Sequence, residues 1–153
     1  MSIRIKIEES YKVAIKEKDM NRVNTLRLIK SAIKDKEIAD RSNNTNQDIT
    51  DADILSLLQN LIKQRKDSIE SFKSAGRTDL VSKEQSEIEI INFYLPDQKD
   101  EKEIIEIVQQ IITKNNLSSI KDMGKLMGII KSKYSGQVDM GLVGKIAKSK
   151  FSN

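Results

Sequence analysis

Apolar side chains recur at three- and four-residue intervals along most of this sequence, the period of an amphipathic helix rather than a strand. Ile7, Tyr11, Ala14 and Ile15 follow that period and predict a helix from about Ser2 to Lys18. Ile3, Ile5 and Ile7 also alternate with polar residues, so a strand is the alternative for the first few positions. Asp19 to Asn21 reads as a turn. A second helix to about Asp40 turns Leu26, Ile29, Ala32 and Ile33 inward. The run Ser42-Asn43-Asn44-Thr45-Asn46-Gln47 reads as a polar loop and is the segment expected to be most mobile.

The third helix has the clearest signature. Thr50 and Asp53 make a capping box, and Ile54, Leu58, Leu61, Ile62, Ile69 and Phe72 trace one apolar stripe. Gly76 is placed to end it in a left-handed turn. A fourth helix from about Asp79 sets Leu80, Glu84, Ile88, Ile91 and Leu95 on one face and stops before Pro96, whose ring disfavours helix in the preceding residue. Pro96 to Lys99 reads as a linker. Beyond it, Asp100 and Glu103 cap a helix with Ile104, Val108, Ile111 and Ile112 inward. A helix through Lys121 to Gly128 and a last one from about Asp139, with Leu142, Val143, Ile146 and Phe151, complete the chain. The predicted fold is all-α: an N-terminal four-helix bundle domain over 1–95, then a small three-helix C-terminal domain over 96–153.

Composition supports helices, with a single proline and few aromatic residues. The chain has no cysteine, which excludes disulfides, thiolate metal sites and cysteine nucleophiles. It has no histidine either, which removes the usual general base and the commonest metal ligand. No P-loop, zinc spacing or EF-hand occurs, nor a Gly-Gly-Ser-Ser segment of the serine-amidase kind. Glu84 and Glu87 are a carboxylate pair at a spacing common on solvated helix faces. No catalytic residue, metal or cofactor is therefore expected. No run is long enough to span a membrane, and the N-terminus has neither a continuous apolar core nor a typical transit pattern, so a cytoplasmic location is the default expectation.

Charge changes the picture at the C-terminal end. From Thr113 onward Lys114, Lys121, Lys125, Lys131, Lys133, Lys145, Lys148 and Lys150 stand against only Asp122 and Asp139. That imbalance points to an anionic partner, against the alternative of a solvated lysine face. Within Lys121 to Gly128, Met123, Leu126, Met127 and Ile130 form the apolar stripe, and Ser119 with Asp122 can cap the start. At about 100° per residue, Gly124 and Gly128 fall opposite that stripe, among the lysines. Each glycine costs a helix interior roughly 1 kcal/mol relative to alanine. Two readings stand: the glycines bare the backbone to a phosphate or another chain, or they make room for a crossing helix. The candidate nucleic-acid surface is Lys121, Gly124, Lys125, Gly128, Lys131, Lys145 and Lys148. A second candidate is a polar pocket of Gln64, Arg65, Ser68, Arg77, Asp79 and Glu84, with Arg65 meeting Glu84 if their helices are antiparallel. Such charges either fix helix register or receive an anionic or amide ligand.

Four blocks in order bear a family likeness: Leu26 to Lys34, Leu61 to Leu80, Tyr94-Leu95-Pro96, and Lys121 to Gly128. Together they resemble the GatB/YqeY family, specifically its short stand-alone YqeY-like members. The resemblance implies an all-helical protein whose C-terminal domain is similar to the tail of the GatB subunit of the glutamine-dependent aminoacyl-tRNA amidotransferase, a region implicated in holding tRNA. It implies tRNA as a partner and an amidotransferase or aminoacyl-tRNA synthetase as a protein partner. Family members are described as carbon–nitrogen ligases with glutamine as amide donor, yet the large GatB catalytic domain has no counterpart in 153 residues. Val138 to Gly144 follows the family's terminal pattern only loosely. The leading expectation is a tRNA-binding accessory module; an amidase or ligase and a protein-interaction module are the alternatives.

Overall fold

The computed structural model describes residues 2–43 and 48–152. Among them the protein is all-α, with seven α-helices and one 3₁₀ turn. Contacts gather the chain into two units, Met1–Leu95 and Pro96–Asn153.

The first unit holds α1 (Ile3–Lys16), α2 (Met20–Ser42), α3 (Asp51–Ser74) and α4 (Thr78–Asn92). The alternating isoleucines at the start are helical, because the Ser2 hydroxyl caps α1 by accepting from the Ile5 amide at 3.3 Å. Ile7 and Ala14 are then buried, while Ile5 and Ile15 are half exposed. Ile15 was expected inward, but it lies about 80° round the helix from Ile7 and reaches the flank of the stripe. Lys18 ends α1 in the left-handed region at φ 57°. Its amide donates to the Ile15 carbonyl at 3.1 Å and that of Asp19 to Ala14 at 3.0 Å, the paired bonds of a Schellman turn. Asp19 then accepts from the Arg22 amide at 3.3 Å and opens α2.

α2 runs through Ser42, two residues past the expected end, and Asn43 caps it. Asn44 to Gln47, most of the polar loop expected to be mobile, lie outside the described residues. Thr50 and Asp53 bond reciprocally at 3.1 and 3.0 Å and start α3. α3 ends where Gly76 adopts φ 70°, with Gly76 and Arg77 donating to the carbonyls of Lys73 and Phe72 at 3.1 and 2.9 Å. That tight turn sends α4 back along α3. The core holds Ile7, Leu26, Ile29, Ile54, Leu58 and Ile91.

The second unit holds α5 (Glu101–Lys114), the 3₁₀ turn Ile120–Asp122, α6 (Met123–Lys133) and α7 (Met140–Ser152). Asp100 and Glu103 cap α5 reciprocally at 2.8 and 3.0 Å. Ile104, Val108, Leu126, Ile130, Val138, Val143 and Ala147 form a separate core. The stretch read as a linker is fastened here. The Gln98 amide donates to the carbonyls of Pro96 and Gly136 at 2.9 and 2.5 Å, and the Lys99 amide to Gln137 at 2.7 Å.

Candidate functional site

The helix with the two glycines starts through its own carboxylate. Asp122 accepts from the amides of Ser118 at 2.8 Å and Ser119 at 3.3 Å. These bonds, Ser118 first, hold its carboxyl below the usual range, and the nearby charge of Lys125 adds to the effect. The first turn is 3₁₀ and α6 proper begins at Met123. Leu126 and Ile130 are fully buried, with Met123, Met127 and Ile129 packed beside them.

Gly124 and Gly128 are exposed, and a Cβ built on either would meet nothing within 4 Å. No other described part of the second unit crosses them, so the room they leave serves no helix packing within that unit. The glycines of α7 differ. A Cβ on Gly144 would touch the Met127 Cε at 3.9 Å, where α7 meets α6. Gly141 belongs to the α7 cap: its amide donates to Asp139 Oδ1 at 2.9 Å, and a Cβ would stand 3.2 Å from that oxygen.

Among the described residues the lysines around the bare backbone make no ion pair. Lys121, Lys125 and Lys131 on and before α6 are exposed, as are Lys145, Lys148 and Lys150 on α7. Among the described residues every ion pair lies in the first unit. The lysines of α6 and α7 therefore present positive charge that no ion pair among the described residues offsets.

The residues of the expected polar pocket divide into separate groups. Arg65 donates through Nε to Glu87 Oε2 at 2.9 Å and through Nη1 to the Leu61 carbonyl at 3.0 Å. Glu84 stands off at 4.0 Å. Glu87 is thus the main partner, where the sequence had pointed to Glu84; three residues apart, both lie on the α4 face that meets α3. Arg77 pairs with its neighbour Asp79 through two bonds of 3.2 Å in the open. That contact, followed by the Leu80 amide, holds the Asp79 carboxyl below its ordinary value. Gln64 is exposed, and the Ser68 hydroxyl donates to its carbonyl at 3.1 Å. Arg65 is therefore occupied by carboxylates of its own unit. Among the described residues no acidic cluster is arranged to hold a metal ion, and no helix is long and apolar enough to cross a membrane.

Comparison with known proteins matches residues 4–151 to the family described as Yqey-like protein. Three relatives share the name Altered inheritance of mitochondria protein 41, mitochondrial. That of Lachancea thermotolerans is 43% identical over 89 residues, covering 58% of this chain and 46% of the relative. That of Pyrenophora tritici-repentis is 31% identical over 133 residues, covering 84% and 71%. That of Saccharomyces cerevisiae is 33% identical over 128 residues, covering 84% and 65%. The chain thus spans from about half to some two thirds of these relatives' length. Their names overturn the cytoplasmic expectation, which rested on the lack of a recognisable targeting pattern and on no physical property of the folded protein. All-helical and matched to the family model over nearly its whole length, the chain belongs to the YqeY-like protein family.

Proposed function

We propose that this chain is a tRNA-binding accessory module, an N-terminal helical bundle joined to a small three-helix domain whose basic face contacts the RNA backbone. One observation supports the reading above others: Gly124 and Gly128 leave the α6 backbone uncovered amid exposed lysines that make no ion pair among the described residues. Lysines there neutralise phosphates and release counterions, and the missing Cβ atoms let a ribose-phosphate chain come close. Amidation chemistry then belongs to a partner, an amidotransferase or an aminoacyl-tRNA synthetase. The mutual pairing of Arg65 with Glu87 favours a fastening role for that cluster over a ligase or amidase site. The relatives' names support a mitochondrial setting for this work.

The test is filter binding of purified tRNA across a salt series. Affinity is expected to fall steeply with salt, by roughly 0.9 in log K per decade of salt for each phosphate neutralised. Lys125→Glu is expected to weaken binding at every salt concentration. Undetectable or salt-independent binding overturns the proposal. The same bare backbone suits a partner helix, and a protein complex that survives high salt and nuclease would favour that second reading.

A further inference from the structure

We infer that the α6–α7 surface is shaped for the double-helical part of an RNA, an A-form stem, rather than for single-stranded loops or ends. The inference rests on the RNA reading above and narrows it to one kind of structure.

The first support is the layout of the charges. α6 and α7 pack together, with Met127 against the edge of α7 at Gly144. At about 100° per residue, Gly124, Gly128 and Lys131 lie roughly opposite the buried Leu126, and Lys121 stands exposed in the 3₁₀ turn that leads into the helix. By the same count Gly141, Lys145 and Lys148 lie roughly opposite the buried Val143. Met127 and Gly144 each sit about a quarter turn from those core residues, in the same rotational sense. Leu126 and Val143 belong to one core, so the faces opposite them turn to the same side of the helix pair. Packed helices lie about 8–10 Å apart, so the lysines form two rows, one on each helix. An A-form helix presents two phosphate strands across a wide, shallow minor groove, a target for two rows of cations. A single strand offers one line of phosphates.

The second support comes from the aromatic residues. Proteins that hold single-stranded RNA stack its bases on exposed rings. The second unit has only Tyr134 and Phe151, and both pack against its core. The lysine rows thus have no exposed ring to take an unpaired base.

The glycines add a third element, secondary to the lysines. An α-helical carbonyl keeps a lone pair after its intrahelical bond. With no Cβ over Gly124 and Gly128, a ribose 2′-hydroxyl in the shallow groove can approach and donate to such a carbonyl. That contact separates an RNA stem from a DNA duplex.

The test measures the affinity of the full chain for three probes with equal numbers of phosphates: an RNA duplex, an unstructured single-stranded RNA, and a DNA duplex of the same sequence. The RNA duplex is expected to bind at least about tenfold more tightly than either of the others. Gly124→Ala/Gly128→Ala is the companion variant. Its methyl groups enter open space, so it should fold with a raised melting temperature, yet lose the preference for RNA duplex. Single-stranded RNA bound as tightly as duplex, or a double variant with unchanged preference, overturns this inference while leaving tRNA binding in place. Failure to bind any of the RNA probes or tRNA overturns the underlying reading as well.

Discussion

Thr25 is 1% exposed within α2, and its hydroxyl has no hydrogen-bond partner among the described residues. An unpaired buried hydroxyl costs roughly 1–3 kcal/mol. Thr25→Val keeps the branched shape and removes the polar atom. It is expected to stabilise the protein by about 1 kcal/mol, read as a higher urea midpoint at unchanged slope. Asp122 shows the opposite case, a carboxylate that is fully used. A depressed carboxyl contributes stability that is present above its unfolded value of about 3.9 and is lost as pH falls through the lower folded value. The start of α6 should therefore fray in acid below about pH 4. Asp122→Asn reproduces this at neutral pH, with faster exchange of the Ser118 and Ser119 amides than in the wild type while the interior of α6 keeps its protection. Equal exchange in the two proteins would refute that role. Caps of this kind are legible in sequence because donor and acceptor stand three residues apart, as in Thr50 with Asp53 and Asp100 with Glu103. The left-handed turn at Lys18 is not, since nothing about a lysine announces positive φ.

Between elements, the Arg65–Glu87 pair fastens α3 to α4. The two side chains are only 12% and 11% exposed, so the ions are largely removed from water and depend on each other. Arg65→Met leaves Glu87, and Glu84 beside it, without a cation at the helix contact. The expected cost is about 3 kcal/mol by urea denaturation. Arg65→Met/Glu87→Leu removes the stranded charge and should recover most of that loss. A double variant no more stable than the single would show that the pair is not the source of the effect. The sequence predicts two helices joined at Gly76, with an arginine near the stripe of one that meets a carboxylate of the other if they are antiparallel. Which carboxylate Arg65 reaches depends on how far the helices slide along each other, a matter of side-chain packing.

At the scale of the whole molecule, charge is segregated. Among the described residues the ion pairs of the first unit take up Arg4, Arg22, Lys30, Lys36, Arg65 and Arg77, whereas the lysines of α6 and α7 are exposed and make none. A local surface and a general net-charge effect are distinguishable. Lys63→Glu on the exposed side of α3 and Lys125→Glu on α6 change the net charge equally. Only Lys125→Glu is expected to weaken RNA binding and to lower the salt slope by about 1–2. Equal losses from both would mean that attraction is diffuse, with no contact face.

Helical periodicity, capping residues and charge imbalance are local or additive properties, and each was readable along the chain before any coordinates. They determined an all-helical protein, the starts of most helices, and a basic C-terminal end. Tertiary structure decided matters that depend on residues far apart in sequence. It buried Glu87 and left Glu84 as the looser partner of Arg65. It built Gln98 and Lys99, read as linker, into the second unit through the turn at Gly136 and Gln137. Above all it resolved the glycines. A pair spaced four apart reads the same in sequence whether a helix crosses it or open space lies over it, because the difference is made by the neighbours. Gly144 has Met127 against it, whereas Gly124 and Gly128 have no described atom over the place a side chain would fill.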